Sequence, residues 1–103
     1  MIYAIETTGA FDGWLKKLRD RKAVLAVLNR LDRAKLGNFG DVKPVGNGIS
    51  EMRIFVGPGY RVYYVIRDER IILLLCGGDK STQTRDIAKA KEMLKHMGED
   101  HGD

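Results

Sequence analysis

The chain has 103 residues, of which 44% are hydrophobic and 31% are charged, and its formal net charge at pH 7 is +4. This length and composition predict a single soluble domain, and no apolar run approaches the roughly 20 residues that a membrane-spanning helix needs. The lone cysteine, Cys76, excludes an internal disulfide, and the N-terminus lacks the pattern of a secretion signal, so we expect a cytoplasmic protein with no membrane association.

The N-terminal part of the chain predicts a short strand over residues 3–6 and then two amphipathic helices. Thr7 or Thr8 can cap the first helix, and Asp20 can cap the second. Gly37 and Asn38 form a common helix stop. The apolar stripe of each helix follows the spacing i, i+3, i+4, i+7: Phe11, Trp14, Leu15 and Leu18 in the first, and Val24, Val27, Leu28 and Leu31 in the second. The two helices should form a hairpin.

The centre of the chain predicts an antiparallel meander. Residues 41–45 suit a short edge strand because Pro44 is tolerated only at an edge or an end. Residues 49–56 and 60–67 alternate between two faces, and Gly57-Pro58-Gly59 between them predicts a type II turn with Pro58 first. Asp68-Glu69 makes the next turn. Residues 71–76 are apolar on both faces, which is typical of a strand inside a sheet.

After Gly77 and Gly78 we expect a polar loop over residues 79–84 and a final helix that starts at Thr82 or Thr84 and ends at Gly98. The predicted order is β-α-α-β-β-β-β-α. This is an α+β fold in which a small antiparallel sheet of four or five strands packs on an N-terminal helical hairpin and a C-terminal helix. One domain covers residues 1–98, and a disordered acidic tail covers residues 99–103.

Polar side chains gather on one predicted face of the meander. An arginine beside a tight turn, such as Arg61, can contact a phosphate through two parallel hydrogen bonds, or it can form a salt bridge with Glu51 across the hairpin. Lys80 has no evident structural task, whereas Lys43 fits both a cationic face and a solvated strand. The residues expected on this open face or beside it are Lys43, Glu51, Arg53, Arg61, Lys80 and Gln83.

Other chemistry-bearing residues favour packing. Cys76 lies at the end of an apolar strand and suits a packed thiol. Tyr60 or Tyr63 could stack on a base, but packing in the core or at its rim is the default expectation for both. His96 and His101 lie near the C-terminus and no Cys/His cluster exists in the sequence, so no metal site is predicted. The excess positive charge lies in residues 1–48, a distribution that suits a polyanion partner or a solvated helical surface.

Four segments resemble one family of toxins. FxxWLxxLRD, RLxRxxxGNxGDxK, EMRIxxGPGYRVYY and LLLCGGDKSTQ, which span roughly residues 11–94, are similar to the RelE/ParE superfamily and most of all to its HigB-like or "addiction module killer" branch. The resemblance implies a RelE-like α+β fold and the toxin of a type II toxin–antitoxin pair. It also implies an mRNA endoribonuclease that acts at the ribosome without a metal or another cofactor, and a cognate antitoxin, commonly a helix-turn-helix protein encoded next to the toxin.

The resemblance also implies site residues. In such enzymes the ribose 2′-OH attacks the adjacent phosphorus, which calls for a base, an acid and cations. Arg61 matches the arginine of the shared Gly-Tyr-Arg segment, Arg53 lies close to a family lysine, and Lys80 lies at or beside a basic position. Glu51 is a candidate base and Lys80 a candidate acid. The expected catalytic residues are therefore Glu51, Arg53, Arg61 and Lys80, and the expected RNA-binding residues are Lys43, Arg61, Lys80 and Gln83.

One departure keeps two alternatives open. Ile87 stands where several relatives carry a tyrosine in the final helix. The superfamily also contains inhibitors of DNA gyrase that cut no RNA, so a ParE-type gyrase inhibitor is one alternative. An inactive module that only binds an antitoxin is the other.

Overall fold

The computed structural model of the chain describes residues 2–100, with the side chains of residues 2–98. The expected element order is confirmed, and so is the α+β fold. Five strands form one sheet in the order β1-β5-β4-β3-β2. They are β1 (Ala4–Thr7), β2 (Val42–Gly46), β3 (Ile49–Ile54), β4 (Tyr60–Arg67) and β5 (Ile71–Asp79), and the helices are α1 (Gly9–Lys17), α2 (Arg21–Lys35) and α3 (Gln83–Asp100).

The sheet is mixed rather than wholly antiparallel. Strands β2 to β5 form the expected antiparallel meander, but β1 pairs with β5 in parallel, with Ala4 opposite Ile71 and Thr7 opposite Leu74. The two helices between β1 and β2 carry the chain from one edge of the sheet to the other, and this leaves β1 beside β5. The expected antiparallel pairing therefore does not extend to this edge of the sheet.

The β3–β4 hairpin is present, but its turn closes one residue earlier than expected. The amide of Gly59 donates to the carbonyl of Val56 at 3.1 Å, so Gly57 and Pro58 are the central residues. Gly57 has φ 56°, a left-handed value that glycine adopts without a Cβ penalty. Pro58 is therefore the second central residue rather than the first, and the type II prediction was wrong. A positive φ at the first position suits the twist of a hairpin.

The helix caps agree with the sequence patterns, whereas the buried stripe of α2 does not. Thr8 accepts from the amide of Phe11 at 3.1 Å, and Asp20 accepts from the amide of Lys22 at 3.0 Å. Leu28, which was expected inside, is 42% exposed. The buried residues of α2 are Ala23, Val27, Leu31 and Ala34. The stripe is rotated because two alanines, which let the helix approach the sheet closely, lie on the packed side.

Helices cover both faces of the sheet. One apolar cluster joins α1 and α2 to the sheet; its buried members are Phe11, Val27, Leu31, Ala34, Met52, Ile54, Val62, Tyr64, Ile72 and Leu74. The second lies under α3; its buried members are Ile49, Tyr63, Val65, Leu73, Leu75, Cys76 and Ala90. The alternation of β3 and β4 thus divides their side chains between two cores. No helix in the described part of the chain is long and apolar enough to cross a membrane.

The start and the end of α3 differ from prediction. Lys80–Thr82 forms a 3-10 turn in place of part of the predicted loop, and α3 begins at Gln83. Asp79 caps this turn by accepting from the amide of Ser81 at 2.8 Å. The helix passes the predicted stop at Gly98 and continues to Asp100. The remaining part of the predicted tail, residues 101–103, lies outside the described residues.

Candidate functional site

Three cations meet in one small concavity at the end of the sheet. It has a volume of about 140 Å³ and is lined by Arg53, Ile54, Phe55, Gly59, Tyr60, Arg61 and Lys80. The structure thus brings together Arg53, Arg61 and Lys80, which the sequence placed on one face. A volume well below the roughly 300 Å³ of ordinary small-molecule pockets suits one charged group, such as a phosphate, with the rest of its molecule on the surface.

The strand register explains why these cations meet. Arg53 lies directly opposite Arg61 in the β3–β4 pair, and Arg61 lies opposite Gly78 in the β4–β5 pair. Gly78 has no side chain, and the Asp86 carboxylate of α3 fills the space where its Cβ would lie. Lys80 is held near by a hydrogen bond from its amide to the carbonyl of Gly59 at 2.9 Å. The hairpin turn and the end of β5 therefore form one unit.

Glu51 is completely buried, which corrects its predicted place on an open face. Its side chain is 0% exposed, and Arg61 Nε lies 3.5 Å from its Oε2. The same oxygen accepts from the Tyr63 hydroxyl at 3.0 Å and from Gln83 Nε2 at 2.8 Å. A buried carboxylate needs partners of this kind because the loss of water disfavours an isolated charge. The prediction failed because α3 covers this part of the sheet.

The contacts of Glu51 also settle the places of Tyr63 and Gln83. Tyr63 is fully buried, and burial together with its hydrogen bond to Glu51 raises the pKa of its phenol. A base cannot stack on a ring in this position. Gln83 lies in the first turn of α3, and its amide is engaged with Glu51 rather than lining the concavity. Gln83 therefore ties α3 to β3, which the sequence did not show.

Arg53 has a carboxylate partner of its own. Its Nη2 donates to Asp41 Oδ1 at 3.1 Å, and each of the two side chains is about one-third exposed, at 33% and 37%. Like charges that face each other across a strand pair repel, and here the two arginines are separately compensated, Arg53 by Asp41 and Arg61 by Glu51. An anion bound between the two guanidiniums would relieve the repulsion that remains.

Lys43 lies outside the concavity. It is opposite Glu51 in the β2–β3 pair, on the edge strand β2, and it is exposed. Because cross-strand neighbours share a face, Lys43 is on the same side of the sheet as Arg53. It does not line the concavity, so it extends the positive surface at most as a flank.

Arg30, in the middle of α2, is a structural residue of the site. Its guanidinium donates to the backbone carbonyl of Arg53, to that of Phe39 at 2.9 Å and to that of Asp41 at 3.2 Å. Burial, followed by the neighbouring charge of Arg33, lowers its pKa. Arg30 thereby fixes the backbone that carries the Arg53–Asp41 pair. Its spacing from Val27 and Ala34 would have shown it on the flank of the buried stripe.

The two glycines at the end of β5 allow close packing on both faces. A Cβ added to Gly77 would lie 2.4 Å from Cε3 of Trp14, and one added to Gly78 would lie 1.8 Å from Oδ2 of Asp86. Asp86 is buried and accepts from the Thr82 hydroxyl. Asp86, in the first turn of α3, is thus a second buried carboxylate beside Glu51 among the described residues, and nothing in its sequence context beyond its helix position predicts this.

Two further expectations concern cysteine and metals. Cys76 is buried, and burial raises the pKa of its thiol to about 11, which agrees with a packed side chain. Across the residues that the structure describes, there is no cluster of three or more His, Cys, Asp or Glu side chains arranged to hold a metal ion.

Residues 13–95 match the family model described as "Phage derived protein Gp49-like (DUF891)", and the chain belongs to this family. It is 47% identical over 98 residues to an uncharacterized protein of Haemophilus influenzae, an overlap that covers 95% of this chain and 99% of that one.

Two solved toxin–antitoxin complexes contain chains with the same fold. One is RelBE2 of Mycobacterium tuberculosis, with a TM-score of 0.61, 21% identity, and coverage of 78% of this chain and 100% of the other. The second is the archaeal RelE-RelB complex of Pyrococcus horikoshii, with a TM-score of 0.59, 16% identity, and coverage of 78% and 97%. At these identities the likeness shows the fold.

Proposed function

We propose that the protein is the toxin of a type II toxin–antitoxin pair, of the HigB-like kind, and that it cleaves mRNA at the ribosome. The observation that carries this proposal is the convergence of Arg53, Arg61 and Lys80 on one concavity. The RelE-like fold, shared with chains of two toxin–antitoxin complexes, supports the toxin role. The motif resemblance supports RNA cleavage as the activity.

The arrangement suits cleavage by internal attack. The 2′ oxygen of a ribose attacks the adjacent phosphorus, the bond from phosphorus to the 5′ oxygen breaks, and the products are a 2′,3′-cyclic phosphate and a 5′-hydroxyl. Negative charge grows on the phosphorane oxygens in the transition state. Arg61, already held from behind by Glu51, and Arg53, held by Asp41, are preorganised to stabilise that charge.

Of the two candidates for proton transfer, Lys80 suits the role of acid, whereas Glu51 does not suit the role of base. Lys80 is exposed beside the concavity, and its ammonium can donate a proton to the leaving 5′ oxygen. Glu51, the candidate base, is buried, and its Oε2 already has three partners. We assign Glu51 to holding Arg61. No carboxylate or imidazole lines the concavity, so the 2′-OH proton passes to a solvent water as the 2′ oxygen attacks.

One observation favours a second candidate function. None of the seven residues that line the concavity has a carboxylate or an imidazole. A ParE-type inhibitor of DNA gyrase needs no base, so the same cations would then bind an anionic surface without cutting RNA. An inactive module that only binds an antitoxin is the remaining alternative.

The proposed partner is a cognate antitoxin, expected to be a helix-turn-helix protein encoded next to this one. It would suppress activity by covering the concavity or by holding α3. A complex in which the antitoxin touches only the outer side of α1 and α2 would contradict this mode of inhibition.

The test combines two assays on the purified protein. In a reconstituted translation reaction, we expect message to be cut in the ribosomal A site, leaving a 2′,3′-cyclic phosphate and a 5′-hydroxyl. Intact message together with blocked supercoiling by gyrase would select the second candidate. Intact message and normal supercoiling, with antitoxin binding retained, would leave the inactive module.

A further inference from the structure

Phe55 is an exposed aromatic residue at the rim of the cationic concavity. It follows β3 directly, its side chain is 75% exposed, and it lines the concavity together with Arg53, Arg61 and Lys80. Burying a phenylalanine is usually favourable because it removes a large apolar surface from water. The chain nevertheless leaves this ring in water beside three cations.

The backbone holds Phe55 in this position. The amide of Val56 donates to the carbonyl of Ile54 at 3.0 Å, which closes a three-residue turn centred on Phe55. The left-handed Gly57 follows, and the Gly59–Val56 hydrogen bond closes the hairpin turn. A platform for a ligand needs this kind of local support because a freely moving ring would lose more entropy on binding.

The other aromatic rings near this end of the sheet are already occupied. Tyr63 is buried, and Tyr60 packs edge-on against Trp14 with ring centroids 6.3 Å apart. Phe55 takes part in none of the ring contacts found among the described residues, which involve Tyr3, Phe11, Trp14, Phe39, Tyr60 and Tyr64. Its face is therefore the one that a flat ligand group can reach beside the cations.

We propose that Phe55 is a stacking platform for a nucleobase of single-stranded RNA whose phosphate lies between Arg53, Arg61 and Lys80. This inference rests on the proposed function and names a substrate-binding residue for it. Single-stranded nucleic acids are bound by this combination of cations for the backbone and aromatic rings for the bases. Because every base has a flat face, the platform supplies affinity with little sequence preference.

The binding experiment uses RNA with 2′-O-methyl ribose at every position, which cannot be cleaved because it has no free 2′-OH. Phe55→Ala should bind this RNA about 5- to 150-fold more weakly than the wild type, the effect of removing one stacked base. Phe55→Tyr and Phe55→Trp should retain binding, whereas Phe55→Leu, which is apolar but not flat, should not. Thermal unfolding should be unchanged, since the side chain is exposed.

Salt dependence separates stacking from charge. For a single strand, the slope of log K against log salt is negative, and each lost phosphate contact reduces its magnitude by about 0.7. Arg53→Gln should reduce the magnitude of the slope by about this amount, whereas Phe55→Ala should weaken binding and leave the slope unchanged. In Phe55→Trp, the RNA should quench the added indole emission relative to the wild type, which has only Trp14. An abasic strand with the same phosphates should not quench this emission, because it has no base to stack on the indole.

Several results would overturn the platform. These are binding by Phe55→Ala within twofold of the wild type, full binding by Phe55→Leu, or no salt-dependent RNA binding by the wild type. Normal RNA binding by Phe55→Ala with weaker antitoxin binding would also overturn it and make Phe55 a protein contact. If the wild type binds RNA through Phe55 but leaves message intact, the nuclease proposal fails while the platform stands.

Discussion

The two faces of the sheet bury adjacent residues of the same strand in different ways. On the side of α1 and α2, Met52 is fully buried and lies opposite Val62 in an apolar cluster. On the side of α3, Glu51 is equally buried, but it lies opposite Tyr63 and holds Arg61. Burial on the first face stabilises the fold, whereas burial on the second also sets the direction of a cation.

The difference shows how a domain of 103 residues can stabilise its fold and orient a site with one sheet. An apolar contact is nondirectional and tolerates replacement by a side chain of similar volume. The Glu51 carboxylate accepts hydrogen bonds from Tyr63 and Gln83 and forms an ion pair with Arg61, and it tolerates few replacements because each of these partners has a fixed direction. Substitutions on the two faces should therefore be distinguishable.

The largest effect is expected from Arg61→Ala. It leaves the Glu51 charge buried without its cation, which typically costs about 3–5 kcal/mol of unfolding free energy. We expect a loss near the lower end of this range, because Tyr63 and Gln83 still donate hydrogen bonds to Glu51. Loss of one preorganised donor should also lower the cleavage rate about 100- to 1,000-fold. Urea denaturation and RNA cleavage measure the two effects separately.

The double variant Glu51→Gln with Arg61→Ala is the matched control. A neutral amide leaves no unpaired charge, so most of the lost stability should return while cleavage stays low. If the double variant is as unstable as Arg61→Ala, the instability does not come from the buried charge. If it cleaves as the wild type does, Arg61 is not a catalytic residue.

A smaller effect is expected from the neighbouring glycines, one for each face. Gly77→Ala would press a Cβ against the Trp14 ring, which packs between Phe11 and Tyr60, so a loss of about 2–3 kcal/mol, the upper part of the overpacking range, is expected. Gly78→Ala would displace the Asp86 carboxylate at the start of α3, at a cost of about 1–2 kcal/mol of unfolding free energy. Urea denaturation measures both losses.

Activity distinguishes the two glycine variants further. Under conditions in which both are folded, Gly78→Ala should cleave RNA more slowly than Gly77→Ala. Gly78 pairs directly with Arg61, whereas Trp14 reaches the concavity only through Tyr60. Gly13→Ala is the control, since a Cβ there meets nothing within 4 Å and the helix should gain about 0.5–1 kcal/mol. Equal activity losses at positions 77 and 78 would contradict the division between the faces.

The sequence reading succeeded where a local rule decides the outcome. Period-two alternation over residues 49–56 and 60–67, with a tight turn between them, places Arg53 and Arg61 on one face, and the strand pairing confirms it. The caps at Thr8 and Asp20 follow from side-chain chemistry within three residues.

Features that depend on how other helices and strands pack could not be predicted from the sequence. Alternation tells which face Glu51 occupies but not that α3 lies over it, and charged residues are rarely buried in full. Nothing in the four residues of β1 specifies the direction in which it pairs with β5. Alanines carry a weak hydrophobic signal, so the stripe of α2 was placed on Leu28 rather than on Ala23 and Ala34.

The smallest expected effect lies at the exposed end of the α3 face, where Asp79 caps the turn that carries Lys80. Chiefly the hydrogen bond from the Ser81 side chain lowers the pKa of Asp79, and the nearby charge of Arg61 adds to this. Because its pKa in the folded state is below the unfolded value of about 3.9, the ionised Asp79 side chain stabilises the fold at pH values above the unfolded pKa. This contribution is lost as the pH falls through the folded-state pKa.

Asp79→Asn should thus be less stable than the wild type at pH 6 by about 1 kcal/mol or less. The gap, measured by urea denaturation from pH 6 to pH 3, should narrow with acidification, since the wild-type carboxylate then becomes neutral as well. Other carboxylates titrate in both proteins and cancel in the difference. A gap that stays constant or widens would mean that Asp79 holds the turn through its shape alone, and the charge at this end of the face would then have no part in placing Lys80.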